Sequence, residues 1–353
     1  MSSWRGVIHQ YRSFLPVTDA TPVVTLSEGN TPLVRARNLE RKLRARFQIW
    51  LKCEGLNPTA SFKDRGMTVA VSKALERGAK ILICASTGNT SAAAAAYAAR
   101  ARAKCVVVLP EGSIAQGKLA QVLMYGATVV AVRGNFDDAL GIVREFGRKK
   151  GFAIVNSINP DRIEGQKTAA FEVCEWLGNR APDYHILPVG NAGNITAYWK
   201  GYREFHSLRI IQNLPQMIGF QASGAAPMVH GRVVKKPQTM ATAIRIGNPA
   251  SWNAAVTAKK ESRGLIAAAS DDEIIAGYKL LARTEGIFAE PASAITIAGL
   301  TQLVRKNPFK PDSIVVCTLT GHGLKDPEIA IAQSRGAIVC EPTTRAVMKA
   351  IRL

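Results

Sequence analysis

Short apolar runs alternate with longer helical stretches along most of this 353-residue chain. The runs 81–85, 105–109 and 128–132 are rich in β-branched residues, and each precedes a stretch that favours a helix. Strands that are apolar at successive positions are typical of parallel sheets covered by helices on both faces. The alternation therefore predicts an α/β fold made of β–α–β units, which leaves only a few architectures open.

The same alternation returns in the second half of the chain. Strands are predicted at 184–189, 217–221 and 313–319, and helices at 195–208, 271–284 and 291–305. At about 150 residues per domain, the length suggests two domains. We expect two doubly wound, mostly parallel-sheet domains that join near residues 150–160, with the active site in the cleft between them. Residues 225–262 carry no strong strand pattern and should form loops and helices.

The chain is strongly basic, with a formal net charge of +20, so nucleic-acid binding has to be considered. The basic residues fall in short amphipathic runs such as 35–46 and 100–104, which are not interleaved with aromatic residues. We interpret them as solvated helix faces, with a field that attracts anions as the alternative. No nucleic-acid partner is expected. No membrane is expected either, since no stretch reaches about 18 uninterrupted apolar residues.

Six cysteines lie far apart, and no pair has CxxC spacing. Several lie inside apolar runs, so we expect buried free thiols in a reducing cytosol. The five histidines show no HxxxH or HExxH spacing, so no metal site is expected. The first residues lack the apolar core and cleavage site of a secretory signal, which also favours a cytoplasmic protein.

The segment 57–66 contains Lys63 and is the first that suggests chemistry. Ser61, followed three residues later by Asp64, resembles a weak capping box, so a helix is predicted to begin here. Lys63 would then lie near the positive end of the helix dipole and near Arg65, and both would lower the pKa of its ammonium group. A neutral amine is what Schiff-base chemistry requires. The alternative is an ordinary surface lysine.

Two polar loops that contain glycine lie between a predicted strand and a predicted helix. Free N–H groups at a helix N-terminus form an anion site, so the loop 85–91 suits a carboxylate and the loop 189–194 suits a phosphate. One loop falls in each predicted domain, so we expect two anion sites that face each other across a cleft. Simple N-capping is the alternative for the first loop, and the second lacks the full GxGxxG pattern.

Two further segments lie at the ends of predicted strands, one at 313–319 and one at 152–155. Segment 316–323 would point the Thr320 hydroxyl into the crevice beyond the strand ends, where open α/β sheets bind ligands. The alternative there is a polar strand end before a turn. In segment 155–162, Arg162 with Asn156 and Ser157 would bind a phosphate by charge-assisted hydrogen bonds. An interdomain hydrogen-bond cluster explains the same three residues equally well.

Taken together, these segments resemble pyridoxal-phosphate enzymes of the tryptophan-synthase-β type, and more closely the threonine synthases. The resemblance covers nearly the whole chain, and the combination of SFKDRG (61–66) with GNAGN (190–194) is highly specific. Other matching segments are 4–8, 26–33, 54–60, 134–138, 162–167, 290–293 and 318–326. Ala60 stands where close relatives are expected to carry glycine, a small departure that should leave the lysine unaffected.

The resemblance implies a fold type II architecture and the roles of the site residues. A large cofactor-anchoring domain would comprise residues 1–55 with 156–353, and a small domain residues 56–155. Lys63 would bind pyridoxal 5′-phosphate covalently and then act as general base. The cofactor phosphate would bind Gly190, Asn191, Ala192, Gly193 and Asn194, the ring hydroxyl would bind Asn89, and the pyridine nitrogen would face Thr320. The substrate carboxylate would bind Ser86, Thr87, Asn89 and Thr90.

The resemblance also implies the reaction, which converts O-phospho-L-homoserine and water to L-threonine and phosphate in a homodimeric enzyme of threonine biosynthesis. The substrate phosphate needs a second anion site, for which Asn156, Ser157 and Arg162 are the candidates. The net charge of +20 would help to steer a dianionic substrate.

Two rival functions stay open. Serine/threonine dehydratases and cysteine synthases share a similar lysine segment and a Ser/Thr-Gly-Asn loop, but they need no second phosphate site. Activity on unphosphorylated serine or threonine would favour them. A basic nucleic-acid-binding protein, or a catalytically silent relative, would instead show salt-sensitive nucleic-acid affinity and no bound chromophore.

Overall fold

The computed structural model describes residues 3–112, 116–334 and 336–351, without the side chains of residues 116–118. The strands are β1 (Leu33–Arg35), β2 (Gln48–Cys53), β3 (Ile81–Ala85), β4 (Lys104–Pro110), β5 (Thr128–Val132), β6 (Phe152–Ile154), β7 (Tyr184–Pro188), β8 (Gln216–Ala222), β9 (Leu265–Ala269) and β10 (Ile314–Leu319). The helices are α1 (Val7–Gln10), α2 (Arg37–Leu43), α3 (Lys63–Glu76), α4 (Asn89–Arg100), α5 (Gln116–Met124), α6 (Phe136–Phe146), α7 (Pro160–Trp176), α8 (Gly193–Ser207), α9 (Pro227–His230), α10 (Trp252–Glu261), α11 (Asp271–Glu285), α12 (Pro291–Lys306), α13 (Pro327–Ala332) and α14 (Thr344–Ala350).

The strands form two sheets. The six-stranded sheet has the order β1-β2-β10-β7-β8-β9, and it is parallel except for the antiparallel pair β1–β2. The four-stranded sheet has the order β5-β4-β3-β6 and is parallel throughout. The predicted α/β class with two mostly parallel sheets is confirmed, and region 225–262 contains helices and loops but no strand, as expected.

Both faces of each sheet are covered, which explains the continuous apolar runs. On β10, Val315 and Cys317 pack into one core cluster and Val316 packs into another. On β3, Leu82 and Ile83 are divided between two clusters in the same way. A strand that is buried on both faces has apolar residues at successive positions, so its sequence does not alternate between apolar and polar residues.

Each sheet has one place where the direction of chain progression reverses. In the four-stranded sheet the reversal lies between β3 and β6, and in the six-stranded sheet it lies between β7 and β10. Open α/β sheets bind ligands beyond the carboxyl ends of the strands at such switch points. The loops that follow β3, β6, β7 and β10 are therefore the ones placed for function.

The distribution of the strands agrees with the expected domain division, which stays a prediction. The strands of the four-stranded sheet all lie between residues 81 and 154, and those of the six-stranded sheet lie before residue 56 or after residue 156. Helix α3, although it falls within 56–155, also packs closely against α7.

Five cysteines are free and buried, as expected, whereas Cys340 is free and exposed. Burial raises the pKa of Cys53 and of Cys105 to about 12, so these thiols are poor nucleophiles at neutral pH. Within the described parts of the chain, no helix is both long and apolar enough to cross a membrane.

Candidate active site

Lys63 is the first residue of α3, and the turn before it is held by the loop that follows β10. The backbone N–H of Phe62 donates to the Thr320 carbonyl at 2.9 Å, and the N–H of His322 donates to the Ala60 carbonyl at 3.0 Å. Ala60 has a φ of 65°, a left-handed conformation that favours glycine. The position that departs from the expected glycine is therefore strained.

The predicted Ser61–Asp64 capping box is wrong. The N-cap residue of α3 is Phe62, and its side chain makes no capping hydrogen bond. The Asp64 carboxylate instead accepts hydrogen bonds from the backbone N–H of Thr59 at 2.6 Å and from the Thr59 hydroxyl at 2.5 Å. Burial raises the pKa of Asp64 to about 7, although both hydrogen bonds act in the opposite direction. Asp64 thus closes the turn that precedes the helix.

The Lys63 amine has a pKa of about 7, well below the ordinary value for lysine. Burial is the main cause, the positive charge of Arg162 adds to it, and Glu290 acts in the opposite direction. The expectation that Arg65 supplies the positive charge is wrong, because Arg65 is neutralised by its own partners. The expectation of a lysine with a lowered pKa is nevertheless met, and about half of the amine is neutral near pH 7.

Arg65 belongs to a buried ionic network that joins α3 to β2 and α7. Its guanidinium contacts the carboxylates of Glu54 and Glu172, each at 2.6 Å. The Lys52 amine contacts the same oxygen of Glu172 at 2.7 Å. Two cations and two anions balance inside the protein, so Arg65 adds little to the field at the neighbouring Lys63.

Helices α3 and α7 approach each other backbone to backbone close to Lys63. A Cβ atom on Gly165 would lie 1.9 Å from the Arg65 carbonyl oxygen, and one on Gly66 would lie 2.8 Å from the Arg162 carbonyl oxygen. Only glycine permits such contacts. The crossing brings Arg162 near enough to act on Lys63.

The side chain of Arg162 is buried beside the loop that follows β3. Its Nη1 lies 3.4 Å from the Thr90 hydroxyl and 3.3 Å from the Val155 carbonyl oxygen. Its Nε and Nη2 are buried and have no hydrogen-bond partner among the described residues. Buried guanidinium N–H groups without acceptors are unfavourable, so this geometry suits an anionic ligand.

Asn156 and Ser157, the other two candidates for the substrate phosphate, differ in how they are used. The Asn156 side chain accepts from the Ala85 N–H at 2.9 Å and donates to the Ala85 carbonyl at 2.7 Å. It therefore extends the pairing of β3 beyond the end of β6. Ser157 is half-buried, and its hydroxyl makes no hydrogen bond to another described residue.

The polar loop 86–90 leads into α4, as expected. Ser86 and Thr87 are half-buried, and the Ser86 hydroxyl accepts from the Gly88 N–H at 3.2 Å. Asn89 is the first residue of the helix, and it is buried together with Thr90. The Asn89 Oδ1 has no hydrogen-bond partner among the described residues, so it is available to a ligand.

The loop 190–194 connects β7 to α8. The left-handed residue in it is Ala192, with a φ of 62°, rather than either glycine. A Cβ atom on Gly193 would lie 3.6 Å from the Ile163 side chain, so the loop adjoins α7 next to Arg162. The Nδ2 of Asn194 is buried and has no partner among the described residues. The loop thus offers a helix N-terminus and an unused amide to an anion.

Glu290 is the site residue that our sequence reasoning did not select. Its side chain is buried, and its two carboxylate oxygens lie 3.2 and 3.0 Å from the Asn89 Nδ2. The Thr320 hydroxyl lies 3.4 Å from Oε1, the oxygen that is 3.2 Å from Asn89. The sequence signal was its place in the matching segment 290–293. The loops after β3 and β10 therefore meet through Glu290 close to Lys63, and the loop after β7 adjoins α7 next to Arg162.

Comparisons with known proteins agree with this geometry. A sequence profile of the family described as "Pyridoxal-phosphate dependent enzyme" matches residues 24–321. A threonine synthase of Halalkalibacterium halodurans is 58% identical over 332 residues, which cover 94% of this chain and 93% of that protein. A threonine synthase of Synechocystis is 53% identical, covering 99% of this chain and 91% of its own length. One of Methanocaldococcus jannaschii is 52% identical, covering 95% and 84%.

Solved structures show the same fold at low sequence identity. Maize serine racemase has a TM-score of 0.76 at 17% identity, covering 93% of this chain and 96% of that one. Threonine deaminase isoform 2 of Solanum lycopersicum has a TM-score of 0.75 at 22% identity, covering 92% and 86%. The profile match and the close relatives establish the family, and the chain belongs to the pyridoxal-phosphate dependent enzymes.

Proposed function

We propose that this chain is a threonine synthase, which converts O-phospho-L-homoserine and water to L-threonine and phosphate. The observation that carries the proposal is Arg162, whose buried guanidinium has two nitrogen atoms, Nε and Nη2, without hydrogen-bond partners among the described residues. The same cation lowers the pKa of Lys63. A phosphorylated substrate offers this cation a second anionic group besides the carboxylate, whereas serine and threonine carry only the carboxylate. The identity of 52–58% to threonine synthases supports the same function.

Pyridoxal phosphate is the cofactor of this family, and the cleft fits it on three counts. A substantial part of the Lys63 amine is neutral near pH 7, and a covalent bond to an aldehyde requires the neutral form. The N-terminus of α8, with the unpartnered amide of Asn194, suits the cofactor phosphate. Asn89 and Thr320 offer polar groups for the ring hydroxyl and the ring nitrogen. When bound, the cofactor supplies an electron sink for negative charge on the substrate carbons.

The chain's own residues then divide the remaining work. We assign the proton transfers to the Lys63 amine, whose pKa of about 7 suits both removal and return of a proton near neutral pH. The backbone N–H groups of 190–194 hold the cofactor phosphate in place. The hydroxyls of Ser86, Thr87 and Thr90, at the start of α4, bind the substrate carboxylate.

Arg162 and Ser157 bind the substrate phosphate in this proposal. Asn156 supports them indirectly, since its amide is engaged by the Ala85 backbone and fixes the end of β3. We further propose a cytoplasmic homodimer, in which the small domain of residues 56–155 closes on the substrate. The five buried free thiols are compatible with a reducing compartment.

The direct experiment measures phosphate and threonine in the same reaction with O-phospho-L-homoserine, for the wild type and for Lys63→Ala. We expect equal amounts of both products from the wild type and neither from the variant. A purified protein that is yellow but releases no phosphate would support pyridoxal phosphate as the cofactor and contradict O-phospho-L-homoserine as the substrate. Serine, threonine and O-acetylserine would then be tested.

Arg162→Ala tests the phosphate site itself. Loss of charged hydrogen bonds should raise KM for O-phospho-L-homoserine roughly 10- to 150-fold. Arg77→Ala is the matched control. The Arg77 side chain is exposed, and it pairs at 2.7 Å with Asp161 of α7, the helix that carries Arg162. An unchanged KM in Arg162→Ala would remove Arg162 from the substrate site.

A further inference from the structure

Glu290 lies in the cleft but has no part in the reaction as described above. Its carboxylate joins Asn89, which begins α4, to Thr320, which follows β10, so it connects loops of both sheets. The loop comes this close because residue 321 is glycine. A Cβ atom on Gly321 would lie 2.5 Å from the Glu290 Oε1. The placement is therefore built into the fold.

The Thr320 hydroxyl stands between Glu290 and a second hydroxyl. Its oxygen lies 2.9 Å from the Ser293 Oγ, and Ser293 in turn accepts from the Gly321 N–H at 2.9 Å. A hydroxyl has one proton to donate and two lone pairs that accept, whereas a carboxylate only accepts. If Thr320 donates to Glu290, its oxygen can only accept from a third neighbour.

The charge of Glu290 favours that arrangement. A negative charge 3.4 Å from the hydroxyl oxygen attracts its proton, and it also stabilises positive charge on a group beyond the hydroxyl. The same charge reaches the reacting region, since Glu290 raises the pKa of Lys63 against the effects of burial and Arg162. A neutral side chain of the same shape would have neither effect.

Resting on the function proposed above, we propose that Glu290 is a positioning residue that orients the Thr320 hydroxyl as an acceptor and so keeps the cofactor's ring nitrogen protonated. A neutral hydroxyl gives a protonated ring nitrogen no counter-charge. With Thr320 alone, the cofactor should therefore be a weaker electron sink. Glu290 supplies the counter-charge through the hydroxyl. The electron sink is correspondingly stronger.

The test uses holoenzyme reconstituted with pyridoxal phosphate carrying ¹⁵N in the ring, because the ¹⁵N chemical shift distinguishes a protonated from an unprotonated nitrogen. We expect a protonated nitrogen in the wild type and an unprotonated one in Glu290→Gln. We also expect kcat for threonine formation to fall on the order of 10- to 100-fold, with KM little changed. An unshifted ¹⁵N signal in the folded, loaded variant overturns the proposal.

Two controls separate charge from shape. Glu328→Gln removes an exposed carboxylate outside the cleft and should change neither kcat nor the ¹⁵N signal. Ser293→Ala removes a hydroxyl without removing charge, and the nitrogen should stay protonated. If Glu290→Gln binds no cofactor, two other spectra decide: an unprotonated nitrogen in the wild type, or a nitrogen that stays protonated in Thr320→Val, overturns the proposal. A wild type that makes no threonine contradicts the proposed function instead, and the ¹⁵N comparison still decides the role of Glu290.

Discussion

At the residue scale, the pairing of each buried charge decides its effect in the cleft. Arg65 is two positions from Lys63 in the sequence, yet its charge is balanced by Glu54 and Glu172. Arg162 is far away in the sequence, yet its guanidinium acts on Lys63. A sequence pattern places charges along the chain, but it does not say which of them are neutralised.

The low pKa of Lys63 predicts a pH dependence for the cofactor-free protein. The rate at which pyridoxal phosphate modifies Lys63, trapped by borohydride at each pH, should rise as pH increases through about 7 and then level off. The neutral amine is the reactive form, and it predominates above the pKa. Arg162→Leu removes a charge that lowers this pKa, so its midpoint should lie at higher pH. Equal midpoints would contradict the role given to Arg162.

The left-handed backbone of Ala60 predicts that glycine is better at this position. A side chain at φ 65° is unfavourable by roughly 1–2 kcal/mol, part of which the greater freedom of glycine in the unfolded chain offsets. Ala60→Gly should therefore raise the melting temperature by a few degrees. Ala276→Gly, at an exposed position inside α11, is the control and should lower it. Calorimetry of both variants measures the difference.

At the scale of elements, the strands of the four-stranded sheet and the loops at both switch points could be predicted, because they are apolar runs followed by polar, glycine-containing loops. Strand β2 and helix α7 could not be predicted in the same way. Lys52 on β2 and Glu172 on α7 are buried against each other at 2.7 Å, so charged residues stand where the pattern of a buried element should be apolar. Periodicity fails where charges are buried in pairs.

The crossing of α3 and α7 predicts that Gly165 tolerates no side chain. Gly165→Ala would place a methyl group 1.9 Å from the Arg65 carbonyl oxygen, and overpacking of this kind costs about 1–3 kcal/mol. The variant should also bind pyridoxal phosphate more weakly, because α3 carries Lys63. Gly141→Ala in α6 meets no atom within 4 Å and should leave stability equal or higher. Urea unfolding and cofactor titration of both variants would show whether this holds.

At the scale of the whole molecule, the interior is nearly balanced in charge while the chain as a whole carries +20. The network of Lys52, Glu54, Arg65 and Glu172 contributes no net charge. Most of the positive excess therefore lies at or near the surface, where it favours the approach of an anionic substrate. The α/β class and the cleft followed from local patterns, whereas the buried network depends on long-range pairing.

The buried network predicts acid sensitivity. Burial alone would raise the pKa of Glu172, but the charges of Arg65 and Lys52 outweigh it and hold the pKa well below its ordinary value. The ionised carboxylate therefore stabilises the fold above its unfolded-state pKa of about 4.3, and this stability is lost as pH falls below that value.

Glu172→Gln should lower the free energy of unfolding by about 3–5 kcal/mol at pH 7, because it leaves buried cations uncompensated. The difference in the free energy of unfolding between this variant and the wild type should become smaller as pH falls below about 4.3. Urea titrations over that range measure it, with Glu111→Gln on the surface as control. A gap that does not depend on pH would contradict the assignment.

The glycine contact between α3 and α7 also bears on how such an enzyme can diversify. Lys63 lies on α3 and Arg162 on α7, and the two helix backbones are in contact, so neither helix can shift without moving the other. A relative or an engineered variant that acts on a different leaving group can change the Arg162 side chain, but the backbone contact that positions Lys63 has to stay. Ser157 lies outside this contact, so its side chain can also change without disturbing the two helices.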